Sequence, residues 1–262
     1  MHLSRERRRT IAVGALGIVV LIAFWWLAAT TFLAGHQIPT PVDVVDKFHE
    51  RGFAYYRKIF SVTLKEAAKG YVYGVAIALV LAVTVMLVPR IAPVIMQFAV
   101  ITYCLPIVVL APILIVVNDI PVEGGTSSTA TDLAAISVIF TTVVGAVLGF
   151  RSADQTSLDV VEVYGGSRWQ QFTRVRVIAS LPALFTTLQI AAPAAFLGAL
   201  LGEYFDKHLV IGVGPSLYLA QNNRETALVW TLGLSCAIVS GLAYFLIGLM
   251  GRAVTPWAKG TP

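Results

Sequence analysis

A short island between two long uncharged runs, Asp159-Val160-Val161-Glu162-Val163-Tyr164-Gly165-Gly166-Ser167-Arg168-Trp169-Gln170-Gln171-Phe172, concentrates acids, arginines, aromatics and a glycine pair. These residue types suit recognition more than bond-making. Ser152-Ala153-Asp154-Gln155 and Ser167-Arg168-Trp169-Gln170 each fit a capping box, in which a hydroxyl and a side-chain amide satisfy free backbone donors at a helix start. The first box predicts a helix running to about Tyr164. Gly165 can take the left-handed backbone that ends it, and the second box opens another short helix. Trp169 and Phe172, three apart, share a face of that second helix, with Arg168, Gln171 and Arg174 beside and behind them. Two readings stay open on these residues alone. Exposed aromatics among arginines suit a protein interface; the same pattern suits a helix on the inner membrane surface, its aromatics in the headgroups and its arginines on anionic lipid.

The elements that position this island are dictated by composition. Apolar residues make up 57% of the 262 and charged residues 13%, too little polar surface for a soluble globule of this size, so the chain reads as an integral membrane protein. Six segments without Asp, Glu, Lys or Arg are each long enough to cross a hydrocarbon layer of about 30 Å. The expected fold is all-α and polytopic, with spans over 11–33, 70–88, 91–118, 132–150, 179–202 and 226–251. The first apolar run is longer than a secretory core and reads as a retained anchor.

With Arg5, Arg7, Arg8 and Arg9 kept in the cytoplasm, six spans put 1–10 and 252–262 inside, together with Arg90 and the hairpin 151–178 that carries Arg151, Arg168, Arg174 and Arg176. The segments 34–69, 119–131 and 203–225 then face outward. This distribution accounts for the sequence pI of about 9.3, and nucleic acid need not be invoked.

In 34–69, Pro39 and Pro41 precede apolar spacing that suits a short interfacial helix, and the amphipathic pattern from Tyr55 to Lys69 implies that the second span begins as a helix partly outside the bilayer. Pro89-Arg90 leaves room only for a tight turn. Pro106 and Pro112 predict a kinked third span, whose bend either opens toward a water-filled cavity or serves packing. Pro193 places a similar device in the fifth span. Gly70/Gly74, Gly145/Gly149 and Gly198/Gly202 have the spacing of close helix contacts, each weak evidence alone. Residues 209–223 are too short and too broken by Gly212, Gly214 and Pro215 to span, and read as a re-entrant or interfacial element.

Few other residues suggest chemistry. Glu203 lies four before Lys207, and a structural pair between them is favoured over a role in shaping a gate or contacting a partner. Cys104 and Cys236 fall inside predicted spans as packing residues. His2, His36, His49 and His208 lack ligand spacing, so no metal is expected. Gly124-Gly125-Thr126-Ser127 lacks the lysine and glycine spacing of a phosphate loop, and no such loop occurs elsewhere, so no cofactor is assigned to this chain.

Asp159-Val160-Val161 followed by Gly165, Ser167, Phe172, Val175 and Leu181-Pro182 resembles the EAA loop of permease subunits of bacterial binding-protein-dependent ABC importers. More narrowly, the chain resembles the nitrate/sulfonate/taurine-type permeases. Ile38-Pro39-Thr40-Pro41 before Val44-Val45 is similar to their Leu-Pro-Ser-Pro entry, Leu105-Pro106 through Ala111-Pro112 to their proline-bearing third span, and Glu203 with Gly212-Val213-Gly214 to their Glu then Gly-Leu-Gly. Departures are Asp159 for the loop's first Glu, valines for its alanines, and Ile178 for a usual proline.

The resemblance implies a type I (MetI-like) permease fold and a transport subunit without catalysis of its own. Asp159, Glu162, Tyr164, Gly165, Gly166, Ser167, Arg168, Trp169, Phe172 and Arg174 would couple to a cytosolic ABC ATPase dimer that holds ATP and Mg. Trp169 and Phe172 would fill its groove, while Arg168 and Arg174 would meet acidic groove residues or phospholipid. Pro106, Pro112, Pro193, Glu203, Gly212 and Gly214 would belong to the translocation path or its gate. A second permease subunit, identical or not, and an extracytoplasmic substrate-binding protein are the other implied partners. The cargo is a small solute, a sulfonate-like anion or a neutral heterocycle. The alternative, a self-sufficient carrier or channel, commonly has ionisable groups or repeats at the midplane, and neither is visible.

Overall fold

The computed structural model describes residues 5–31, 38–118 and 125–260. The expectations that fall on 1–4, 32–37, 119–124 and 261–262 lie outside the described residues. Among the described residues there is no strand, and ten α-helices follow in order: α1 (Arg5–Thr30), α2 (Pro41–Leu87), α3 (Ala92–Cys104), α4 (Ile107–Val117), α5 (Ser128–Arg151), α6 (Gln155–Val163), α7 (Arg168–Gln171), α8 (Val177–Phe205), α9 (Val213–Asn222) and α10 (Thr226–Val254). Five of these are long and apolar enough to span, and α3 with α4 gives a sixth if that bent pair is one span.

The third apolar segment differs from the kinked helix expected of it. It is broken, with its halves bent by 96°. Leu105 and Pro106 both take extended backbone, and Pro106 caps α4. Pro112, by contrast, is accommodated inside α4. A proline preceded by an extended residue ends a helix; one at the sixth helical position, as Pro112 is, removes one backbone hydrogen bond and crowds the carbonyl four residues earlier without ending the helix.

From Pro41 onward, the short helix expected after the prolines and the helical start expected for the second span are parts of one element with that span, α2, interrupted only at Gly52, whose φ of 75° and ψ of 153° make the one sharp bend. The part after Gly52 alone rises about 50 Å at about 1.5 Å per residue, more than a hydrocarbon layer of about 30 Å. Its first turns therefore extend beyond the span that begins at Gly70. Pro89–Ile91 forms the tight turn to α3 as a single 3-10 turn.

Contacts divide the chain into two compact units. The first, Met1–Arg57 with Leu217–Ser235, is held by rings and charges: Trp25 stacks on Trp230 at 5.4 Å and donates to the Pro39 carbonyl at 3.1 Å, and Arg51 reaches Glu225 at 2.7 Å.

In the second unit, Lys58–Ser216 with Cys236–Pro262, α5 is the buried axis. All three glycine pairs lie at close approaches in it. A Cβ at Gly70 or Gly74 would strike Ala134, Ala135 or Val138 of α5; at Gly198 or Gly202 it would strike the start of α5; at Gly145 it would strike Thr187 and at Gly149 it would press on Ser180. Backbones at that distance gain dispersion contacts that lipid cannot match. At one end of this unit, Ala78, Ala82, Val85, Ala99, Val143, Ala146, Val147, Phe150 and Phe172 form a continuous apolar core.

Candidate functional site

The hairpin between α5 and α8 is built almost entirely from local chemistry. Asp154 is the N-cap of α6, its carboxylate accepting the Ser157 N–H at 3.1 Å. Ser152, the first residue of the expected box, instead closes α5 through a bond from its hydroxyl to the Gly149 carbonyl. Helix α6 stops at Val163, and Gly165 takes a φ of 76° so that its N–H and that of Gly166 turn back onto the carbonyls of Glu162 and Val161. A Cβ at Gly166 would collide with Val161. The second box forms as its sequence requires: the Ser167 N–H donates to Gln170 Oε1 at 2.7 Å, and the Gln170 N–H donates to Ser167 Oγ at 3.3 Å.

One expectation fails. Trp169 and Phe172 do not share an exposed face, because Phe172 is only 5% exposed and packs edge-on to Phe150 inside the core, whereas Trp169 is 57% exposed. The chain passes from α7 into a five-residue π-helical turn, Phe172–Arg176, which turns Phe172 inward beneath Trp169 at a ring separation of 5.8 Å. Phe172 is thus unavailable to a partner's groove. It anchors the hairpin, and Trp169 rides on the anchor.

The hairpin exposes more apolar residues than the two-aromatic reading suggested. Val160, Val163 and Tyr164 are exposed, Tyr164 to 88%, and Asp159 and Glu162 lie exposed on the same helix. Glu162 accepts from Gln171, bracing α6 against α7. Arg168, Gln171, Phe172 and Arg176 meet Met86 and Leu87 around a cavity of ≈ 210 Å³, and Arg168 and Arg174 are both exposed. The sequence signal for the valines was their place in the EAA-like run, which alone does not reveal which of them point outward.

A second cluster gathers around Glu203, which is 1% exposed. Its carboxylate accepts from the Thr63 hydroxyl at 2.7 Å and the Gly214 N–H at 2.8 Å, while Thr63 Oγ1 accepts the Val213 N–H at 3.0 Å. Gly212 and Gly214 are glycines because a Cβ at either would run into Glu203 itself. The Glu then Gly-Val-Gly pattern is therefore one object, a carboxylate and the loop folded over it. The expected pairing with Lys207 does not occur: Lys207 is exposed, and both Glu203 oxygens are engaged elsewhere.

Glu66, fully buried on α2, joins the same cluster by accepting the Ser127 N–H. Ser127 Oγ donates to buried Asp206 at 3.2 Å and caps α5 by accepting the Ala130 N–H. The sequence reading missed Glu66, Thr63 and Ser127. The available signal was an acid in the i, i+3, i+4, i+7 stripe Thr63, Glu66, Ala67, Gly70, where a solvated face would not place small residues. Pro106 and Pro112 are exposed and Pro193 is half-buried within α8. No hydrogen bond given for the described residues links these prolines to the Glu203 cluster.

Among the described residues no group of three His, Cys, Asp or Glu could hold a metal ion. The hairpin presents exposed apolar and charged residues, and the Glu203 loop is tied down by buried hydrogen bonds.

Residues 70–260 match the family described as the binding-protein-dependent transport system inner membrane component. A probable ABC transporter permease protein of Haemophilus influenzae is 26% identical over 230 residues, 87% of this chain and 90% of the relative. The formylaminopyrimidine transport permease protein ThiX of Halalkalibacterium halodurans is 20% identical over 244 residues, 93% and 95% of the two chains. The riboflavin transport system permease protein RibX of Chloroflexus aurantiacus is 25% identical over 154 residues, 58% of this chain and about half, 54%, of the relative. With the family match covering the hairpin, Glu203 and Asp206, and all or part of every long apolar helix after α1, this chain belongs to the inner membrane components of binding-protein-dependent transport systems.

Proposed function

We propose that the chain is the permease subunit of an ATP-driven importer, that its hairpin α6–α7 docks on a separate cytosolic ATPase, and that solute arrives from an extracytoplasmic binding protein. The observation that carries this reading is the exposure, within one short hairpin, of Val160, Val163 and Tyr164 on α6 and of Trp169, which stacks on the buried Phe172. An apolar patch rimmed by charge is the anatomy of an interface core, and the anchor below makes it rigid enough to transmit force. Movement of the ATPases toward each other on binding ATP and Mg would push both hairpins of a permease dimer and reorient the spans. In this orientation the chain's N- and C-termini are cytoplasmic, and Glu203 lies at the outer end.

The cargo class we propose is a small nitrogen heterocycle. Two relatives are named for riboflavin and formylaminopyrimidine transport, and the long helices here present Ala, Val, Leu and Thr with few fixed charges, which suits a neutral planar solute better than an anion. Identification of the ligand on the cognate binding protein tests the class: a heterocycle supports it, and a sulfonate or nitrate contradicts it. Vesicles reconstituted with the permease, with and without the ATPase, test the mechanism. Uptake is expected only with ATPase and ATP; uptake by the chain alone would make it a carrier.

A further inference from the structure

Glu66 presents a chemical problem that its surroundings do not solve with fixed donors. Oε1 accepts the Ser127 N–H. Oε2 is buried and receives no hydrogen bond. The fully buried Glu203 carboxyl shares this cluster and acts on Glu66 electrostatically; it is held one helical turn away by Thr63 of the same α2, and its own oxygens already accept from Thr63 and Gly214. Two ionised carboxylates facing each other out of water repel and lose their hydration together. A proton on Glu66 Oε2 reverses the interaction, turning an orphan acceptor into the donor of a charge-assisted hydrogen bond to Glu203.

We propose that Glu66 and Glu203 hold one proton between them and that this proton closes a latch fixing the loop 206–214 to α2, α5 and α8. Each arm of the latch is a hydrogen bond of the structure. Glu66 grips the start of α5 through Ser127, Ser127 grips the loop through Asp206, Glu203 grips the loop through the Gly214 N–H, and Thr63 grips both Glu203 and the Val213 N–H. The shared proton joins the α2 arm to the α8 arm. Both acids lie at the ends of spans, Glu66 four residues before Gly70 and Glu203 just after 179–202.

The charged and titratable groups facing the pair are few. Lys69 lies on the same helix and is solvent-exposed, Cys236 approaches Glu203 from α10, and Asp206 stands beyond Ser127 with His208 as its partner. Among the described residues none of these places a buried cation between the carboxyls, so a proton is the neutralising species.

A proton held by the folded chain and released by the unfolded one adds stability at low pH, and that contribution fades as pH rises through the folded-state titration. The test is thermal unfolding of the full-length permease from neutral to alkaline pH, for wild type, Glu66→Gln and Glu203→Gln. Glu66→Gln replaces the shared proton with a permanent N–H donor and keeps the acceptor for Ser127. It is expected to match wild type at neutral pH and to lack the alkaline decline, so that the two Tm curves diverge by roughly 3–5 °C per pH unit. Glu203→Gln, which cannot accept from both Thr63 and Gly214, is expected to lower Tm at every pH. An infrared carbonyl band of a protonated carboxyl should be present in wild type at neutral pH and missing in Glu66→Gln. Parallel Tm curves, a neutral-pH loss in Glu66→Gln as large as in Glu66→Ala, failure of Glu66→Gln to fold, or absence of the band would each overturn the proposal.

Discussion

The hairpin and the Glu203 loop are both short irregular stretches joined to α8, yet they treat their polar residues in opposite ways. The hairpin turns Asp159, Glu162, Arg174 and Trp169 outward and invests one residue, Phe172, in the core. The loop turns Glu203 and Asp206 inward and leaves Lys207 and His208 outside. A charged residue on a membrane protein's connecting segment is therefore no guide to function until its burial is known. Exposed groups at the hairpin are free to meet another chain, while buried ones at the loop are consumed in holding their own.

That contrast can be broken at either region. The largest effect is expected from Glu203→Ala, which leaves the Thr63 hydroxyl and the Gly214 N–H without their acceptor and opens a cavity: about 3–5 kcal/mol of stability, measured as loss of folded, monodisperse protein. Phe172→Ala should follow at about 3 kcal/mol, with protease accessibility rising first within 152–176 because the hairpin loses its anchor. Gly165→Ala forces an L-residue into a φ of 76° and should cost about 1–2 kcal/mol, visible as a lowered Tm with insertion unchanged. Equal and small effects of all three would erase the distinction between anchored and presented residues.

Much of this was legible in the sequence because it depended on local rules. The long uncharged runs, the Ser167 to Gln170 box and the left-handed turn at Gly165 follow from hydrophobic length and from backbone donors that must be satisfied within a few residues. What was not legible depended on tertiary packing. The inward rotation of Phe172 follows from a π-helical turn that no spacing rule announces, and it reversed the role assigned to that residue. Glu203 was paired with Lys207 because i and i+4 neighbours are what sequence displays; its actual partners lie 140 positions upstream, at Thr63, and eleven downstream, at Gly214. The break at Leu105-Pro106 was signalled, but its severity was not, since Pro112 carries the same signal and sits within a continuous helix.

The most direct measurement is co-purification of the cognate ATPase with Trp169→Ala, alongside Tm of the isolated permease. Trp169 is exposed and its removal should shift permease stability by less than about 0.5 kcal/mol, while a truncated aromatic at the centre of an interface should weaken assembly by at least about tenfold. A stable permease that no longer retains its ATPase or drives ATP-dependent uptake is the predicted result. Full retention of the ATPase and of uptake in that variant would contradict the assignment of the hairpin as the coupling surface.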